Sequence, residues 1–336
     1  MKRQWRSGAS RMRKRARPNS TSARADATDI AVQPLASLGK FLQSQDYHFT
    51  TITPASHRRV VERDPSYEAE NLTDIFGWSR QFRRSHFKSV SEMLEEAGEL
   101  ERCSGFFRSK VRFSTLADQL YVHSAFPTDA PDSVFFGPDT YRFARAIRSC
   151  FPNGKNCPTR IIDLGCGSGA GGIYAASLVS GERPDLVLVD INEKALRYSR
   201  VNCVLNGTQQ TTTLVNSDLF ASITEAADLI ISNPPYLVDS KARAYRHGGA
   251  NGYDLSIRIA EESLNHLRPG GRLILYTGAP VVSGEDRFLA VLTRAFAATS
   301  RSFHYEEIDP DVFGEELDQP CYAHVDRIAA VSVVVH

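Results

Sequence analysis

Four consecutive residues, Asn233-Pro234-Pro235-Tyr236, hold the densest chemical information in this 336-residue chain. Two prolines in a row cannot continue a central strand, because neither has a backbone N–H to give to a ladder. They freeze the turn after the apolar run Asp228–Ser232 and leave the Pro234 carbonyl free to accept a hydrogen bond. Asn233 adds a second acceptor through its side-chain carbonyl, and Tyr236 adds a flat aromatic face. Two acceptors beside a ring suit a planar NH2 group, either an amide or the exocyclic amine of a base. Such a nitrogen is a poor nucleophile because its lone pair is delocalised. Holding both N–H bonds favours rehybridisation as an electrophile approaches, without an ionised base, so the rate gain comes from positioning and fixed dipoles. A rigid turn with a buried Asn is the structural alternative.

A second stretch lies upstream, where Ile161-Ile162-Asp163-Leu164-Gly165-Cys166-Gly167-Ser168-Gly169 runs from a strand into a glycine-rich turn. Glycines there let the backbone pass close to a ligand. With Ala170 the spacing also stretches to the dinucleotide pattern, so it does not by itself separate NAD from another adenosine ligand. Asp163 tilts the choice. Its carboxylate would repel a pyrophosphate and attract an ammonium, which suits the amino-acid half of S-adenosylmethionine (SAM). Asp190, ending the run Leu186–Asp190, can accept from ribose hydroxyls or cap the next helix. Asp218, in Asn216-Ser217-Asp218-Leu219-Phe220, can accept from an adenine amine. Three acids at three strand ends define one crevice. Hydride transfer would need a His or Tyr beside it, and His247, the candidate close by, reads better as a loop or substrate contact. Cys166 is a small filler with no base beside it.

These residues need a frame, and the pattern supplies one. Strands are predicted at 160–164, 186–190, 213–216, 228–232 and 272–277, with helices near 172–179, 193–205 and 255–267, the last closed by Pro269 and Gly270. Alternating β and α implies a parallel sheet wrapped on both faces. A helix near 287–298 and strands near 302–308 and 329–335 read as an antiparallel pair finishing one edge. Upstream, 30–42 and 90–100 carry helical spacing, 106–113 and 120–126 look like strands, and 141–148 a helix leading into the larger domain. The division predicted is a basic disordered arm (1–28), an α+β recognition region (29–126) and the α/β domain (127–336).

Composition narrows the class. Hydrophobic residues make up 42% and charged residues 24%, ordinary for a globular chain and unlike a disordered or collagenous one. The net charge of +1 hides an asymmetry: residues 1–25 carry nine Lys or Arg and no acid, leaving 31 basic against 39 acidic residues in the rest. That arm is either a solvated extension or a nucleic-acid contact. The six cysteines form no CxxC pair, no Cys/His cluster has zinc spacing, and no secretory h-region follows the basic start, so thiols in a cytoplasm and no metal are expected. No apolar run reaches the length of a membrane span.

Taken in order, the Asp163–Gly169 loop, Asp190, Asp218 and Asn233–Tyr236 resemble the class I SAM-dependent methyltransferases with an Asn-Pro-Pro-Tyr motif. Within these, the chain is most similar to the small-methyltransferase group that includes HemK/PrmC-like release-factor glutamine methyltransferases. Gly248-Gly249-Ala250-Asn251-Gly252, Pro269-Gly270-Gly271 and the Pro138-Asp139-Thr140 turn extend the match over roughly residues 130–280. The resemblance implies a Rossmann-like seven-stranded α/β sheet with its last strand antiparallel. It implies SAM contacts by Asp163, Gly165, Cys166, Gly167, Gly169, Asp190, Asp218, Leu219 and Asn233. It places acceptor orientation on Asn233, Pro234, Pro235 and Tyr236, with a translation factor as the protein partner. Leu275-Tyr276-Thr277-Gly278 departs from the family's acidic Glu-x-Gly ending, the segment Leu237–His247 is short, and the N-terminal region is longer and less helical. The alternatives are an adenine-N6 or guanine-N2 methyltransferase of ribosomal or transfer RNA, on whose flipped base Tyr236 would stack, and a SAM-binding protein without catalysis.

Overall fold

A computed structural model describes residues 27–151, 157–239, 241, 243 and 245–336. The arm expected over residues 1–28 lies outside these, except for Ala27 and Thr28, which open the first helix. The N-terminal region runs α1 (Ala27–Ser44), α2 (Pro54–Val61), α3 (Leu72–Phe76), α4 (Lys88–Glu96), then the hairpins β1 (Leu100–Cys103) with β2 (Phe106–Ser109) and β3 (Val111–Leu116) with β4 (Gln119–Ser124). The larger region follows as α5 (Pro138–Cys150), β5 (Arg160–Leu164), α6 (Ala170–Ser177), β6 (Asp185–Asp190), α7 (Glu193–Leu205), β7 (Thr212–Asn216), β8 (Ala227–Ser232) and α8 (Asp254–Ser263). It ends with β9 (Leu267–Val282), the two-residue β10 (Glu285–Asp286), α9 (Arg287–Phe296), β11 (Phe303–Asp309) and β12 (Arg327–Val335).

The main sheet has the order β11-β12-β9-β8-β5-β6-β7, with β10 attached to β9. The run from β9 to β7 is parallel, and β12 is antiparallel to both neighbours. This is the doubly wound architecture that the alternating pattern predicts. Strands buried on both faces read as continuous apolar runs, and their alternation sorts the core. Ile161, Leu188, Ile231 and Ile274 face α5 and α6, while Ile162, Val189, Ile230 and Leu275 face α8 and α9. Strand order puts the carboxyl ends of β5 and β8 side by side, with Asp163 opposite Ile231 and Leu164 opposite Ser232. The glycine turn and the double-proline turn therefore emerge next to each other.

Three expectations need correction. The helix expected through Leu267 ends at Ser263, and Pro269-Gly270 lie inside β9 instead of capping it. Leu267 pairs with Ala227, and the register shifts between Ala227 and Leu229. Pro269 falls within that shift, the kind of irregularity where a sheet tolerates proline. The strand expected at 106–113 is two strands separated at Lys110: Ser109 Oγ accepts from Val111 N (3.1 Å), and each half joins a different hairpin. The helix expected through Leu100 stops at Glu96, and Gly98 at φ +71° turns the chain into β1. Helices α2 and α3 escape a periodicity search because they are short. Thr53 and Asn71 cap them instead, the latter in a capping box with Asp74.

The two regions meet on α7. Ala195, Tyr198 and Val201 belong to the N-terminal core with Leu35, Leu38 and Phe113. Asn202, fully buried, forms the polar link. Its Oδ1 accepts from Val122 N (2.7 Å), and its Nδ2 donates to the carbonyls of Val122 (3.0 Å) and Ser168 (2.8 Å). One side chain thus ties β4 to the glycine turn. Replacing it with alanine leaves a buried backbone donor and two acceptors short of partners, a cost of about 2–4 kcal/mol from such losses. Asn202→Ala is expected to lower stability by about 3 kcal/mol in a urea titration with unchanged slope; a loss under about 0.5 kcal/mol would show the link to be dispensable.

Candidate active site

The carboxyl ends of β5, β6, β7 and β8 open into one cavity of about 530 Å³, within the range of small-molecule sites. Asp163, Gly165, Cys166, Gly167, Asp190, Asp218, Leu219 and Asn233–Tyr236 all line it. Of the cofactor and acceptor residues expected from the sequence, Gly169 alone lies outside that lining. It is the residue before α6 and stands in the left-handed region at φ +74°.

Asp163 is 2% exposed and accepts from Gly172 N (2.7 Å), its one hydrogen-bond donor among the described residues. Burial raises its pKa to about 7, and nearby Asp190 adds to the rise. Asp190 is pinned from two sides, by Gly167 N on Oδ2 (2.8 Å) and Asn192 N on Oδ1 (2.9 Å). Burial raises it as well, against the pull of those N–H groups. Each of its oxygens keeps a second lone pair, enough for a cis-diol. Helix capping falls to Asn192, whose side chain accepts from Lys194 N (3.0 Å). Gly165 and Gly167 stand at φ +64° and +54°, and a Cβ on either would meet nothing within 4 Å. The turn therefore leaves an open cradle over the strand ends. A half-ionised acid able to meet an ammonium, a pinned acid able to meet a diol and an open backbone cradle together fit SAM.

Asp218 is more exposed, and Arg258 already grips both of its oxygens (3.0 and 3.2 Å). Cys166 is buried, and burial together with Asp190 and Asp163 pushes its thiol well above the usual range, so it stays neutral. One contributor to this end was not picked out in sequence. Ile191, 58% exposed, is the one large exposed hydrophobic among the described residues, and it lies on the cavity wall after Asp190. Leu219 adopts φ +46°, a costly backbone for a branched side chain.

At the other end, no donor among the described residues reaches the Asn233 side chain or the Pro234 carbonyl. Tyr236 differs from its expected part. It is 7% exposed, its hydroxyl donates to Asp139 Oδ2 (2.7 Å), and its ring meets Tyr276 and Phe313 edge-on. Gly278 lies against that ring: a Cβ there would come within 2.2 Å of it. Tyr236 is thus an anchored wall. Asp139, expected in a turn, sits in the first turn of α5 and also accepts from Tyr276 (2.8 Å) and Arg142 (3.3 Å). Further lining comes from Pro54, Ala55 and Arg58 of α2, from Arg243 and Arg246, and from Phe313 and Glu316. Sequence offered no signal for these, because the fold alone brings them to the cavity. His247 turns its Nδ1 to Asp239 N (3.2 Å), a loop contact. Among the described residues no His/Cys/Asp/Glu group is arranged to hold a metal ion, and no helix is long and apolar enough to cross a membrane.

Residues 144–298 match the sequence profile of the methyltransferase small domain. The chain is 35% identical over 133 residues to a release factor glutamine methyltransferase of Cereibacter sphaeroides, covering 35% of this chain and 46% of that protein. It is 36% identical over 132 residues to a ribosomal protein uL3 glutamine methyltransferase of Bradyrhizobium diazoefficiens (35% and 40% covered). It is 28% identical over 136 residues to a ribosomal RNA small subunit methyltransferase C of Haemophilus ducreyi (40% and 37%). The chain thus spans less than half the length of these relatives.

Asp163 sets a pH test. Below pH 7 it takes up a proton in the empty cavity and loses its attraction for an ammonium, so affinity must rise with pH through that range. Calorimetry should find SAM bound about eightfold more tightly at pH 7.5 than at pH 6. Asp163→Asn should bind weakly and without that dependence. A wild-type affinity flat across the interval would remove Asp163 from the ammonium's environment.

Proposed function

Taking residues 144–298 as a methyltransferase small domain, we propose that the chain is a SAM-dependent N-methyltransferase whose acceptor is a glutamine side chain of a translation protein. The observation that carries this reading is the pair of unclaimed acceptors, Asn233 Oδ1 and the Pro234 carbonyl, one strand away from Asp163. Bound SAM would supply an electrophilic methyl group. Asp163 would meet its ammonium, Asp190 its ribose hydroxyls and Ile191 a flat apolar ring. Asn233 and Pro234 would each take one N–H of the acceptor amide. As that nitrogen leaves conjugation its N–H bonds grow more polar, and both acceptors stabilise the change without reorienting. The double proline makes their placement rigid, and Tyr236 holds the turn through Asp139. No side-chain base is required, because the alkylated nitrogen sheds its proton to solvent.

The choice of a protein over a nucleic acid rests on charge. Seven carboxylates (Asp129, Asp139, Asp163, Asp190, Asp218, Glu315, Glu316) line the cavity against three guanidinium groups, those of Arg58, Arg243 and Arg246. Arg243 and Arg246 are paired with Asp239 and Glu316, Asp139 with Arg142 and Asp218 with Arg258, which leaves Asp129, Asp163, Asp190 and Glu315 against Arg58. Such a mouth favours a neutral amide on a basic or neutral protein and repels phosphates. The region before residue 127 would act as the recognition unit, since α2 places Pro54, Ala55 and Arg58 on the wall. All six cysteines are unpaired, which suits a reducing cytoplasm.

The test is incubation with methyl-labelled SAM and, separately, a purified bacterial release factor, purified ribosomal protein uL3 and naked ribosomal RNA. Label on a protein glutamine is expected. Label confined to RNA would move the acceptor to a base amine. Asn233→Ala should cut turnover by at least about 100-fold while SAM affinity stays within about twofold; equal loss of both would make Asn233 a structural residue.

A further inference from the structure

Between β11 and β12 the chain does not turn back directly. Residues 310–326 instead fold into two 3-10 turns, Gly314–Asp318 and Pro320–Tyr322, laid over the end of the cavity where Asn233 stands. Three of this strap's attachments matter here. Val312 N donates to Ile328 O (2.8 Å) at its root. Glu316, 5% exposed, is paired with Arg246 and also receives Gln319 Nε2. Tyr322, 4% exposed, accepts from Val238 N through its hydroxyl (2.7 Å). Two of these attachments are to the segment directly after the double-proline turn, so strap and turn are held in register.

Phe313 stands at the entry to the strap with φ +56°, a left-handed backbone that a large side chain adopts only when its surroundings impose it. That conformation accompanies a placement on the cavity wall, where the half-buried ring meets Tyr236 edge-on at 5.9 Å. The Tyr236 ring is committed to Asp139, Tyr276 and Gly278. Phe135, Phe143 and Tyr245 also line the cavity, but the lining ring in contact with Tyr236 is that of Phe313.

Resting on the methyltransferase reading above, we propose that Phe313 is the acceptor-binding wall of the site. Its ring would pack on the planar group whose two N–H bonds Asn233 and Pro234 accept, with the strap setting its distance from that pair. A planar group held by hydrogen bonds in its plane and by a ring from one side has one orientation left. Donor binding should be little affected, because among the described residues no strap residue hydrogen-bonds Asp163 or Asp190.

Steady-state kinetics tests it with whichever of the three acceptors the wild-type chain labels. Phe313→Ala should raise acceptor KM by about tenfold, the scale of a lost aromatic contact, with SAM affinity by calorimetry within about twofold. Phe313→Gly, whose backbone favours the left-handed region, should show the same KM rise with an unchanged or higher melting temperature, and it keeps the test open where the alanine variant folds poorly. Tyr322→Phe, which releases Val238 N, should raise acceptor KM more weakly with the same SAM affinity. Variants with wild-type KM, or with SAM affinity lost in parallel, would overturn the assignment while leaving the methyltransferase reading standing. A wild-type chain that labels none of the acceptors would overturn that reading and this one with it.

Discussion

The buried carboxylate of Asp139 is the constraint on which the double-proline end of the cavity depends. It occupies the first turn of α5, where the positive end of the helix dipole favours an anion. Two phenols and a guanidinium converge on it, from Tyr236 after β8, Tyr276 on β9 and Arg142 one turn along α5. Arg142 also reaches Asp309 at the end of β11 (2.8 Å). A single charge thus fastens the double-proline turn to the sheet and to the covering helix. Burial raises its pKa, and the two phenols and Arg142 oppose that rise without cancelling it. Deleting it would leave two buried hydroxyls unpartnered, at roughly 1–3 kcal/mol each. The expected Glu-x-Gly ending is replaced here by Tyr276-Thr277-Gly278, and the replacement has a use: Tyr276 feeds Asp139 while Gly278 gives the Tyr236 ring room.

The donor end is organised differently, by backbone more than by charge. Asp190 is fixed by main-chain N–H groups of the glycine turn and of the entry to α7. The same helix carries Asn202, whose amide holds Ser168 of that turn and Val122 of the N-terminal hairpin. A perturbation of the N-terminal region therefore has a direct covalent and hydrogen-bonded route to the glycine turn. On the face of α7 packed against the N-terminal region, buried Glu99 receives Arg197 and the Tyr198 hydroxyl, a second polar clasp between the two regions.

Much of this was legible in the sequence, for physical reasons. The strands at 160–164, 186–190 and 228–232 are largely buried on both faces, so apolar runs announce them within a residue of their true bounds, while the half-exposed edge strand at 213–216 is announced by its β-branched residues. Glycine and proline spacing marked the two turns because backbone geometry demands those residue types there. What stayed hidden depends on tertiary proximity. Arg58, Phe313 and Tyr322 have no local signature, and they reach the cavity only because α2 and the β11–β12 connection fold over it. Tyr236 was placed correctly along the chain, but its neighbours were not visible. A ring read as an open stacking platform is in fact closed off by Asp139 and Gly278. Pro269-Gly270 misled for a related reason, since the pairing of Leu267 with Ala227 overrides a local helix-stop signal.

The two ends of the cavity share one further trait. Leu219 after β7 and Phe313 on the β11–β12 connection both line the cavity and hold left-handed backbones without being glycine. Each costs on the order of 1–3 kcal/mol, and each is kept by packing: Leu219 within the core beside Phe220 and Val189, Phe313 by the strap and Tyr236. On the proposed reading, methyl transfer to a weakly nucleophilic amide would need fixed dipoles and little else, because no strong base would assist it. A cavity whose walls have no cheaper conformation to relax into supplies such dipoles. Backbone strain at both ends and a rigid double-proline turn between them are, on this argument, one device, which lets placement accomplish what ionisation does in other enzymes.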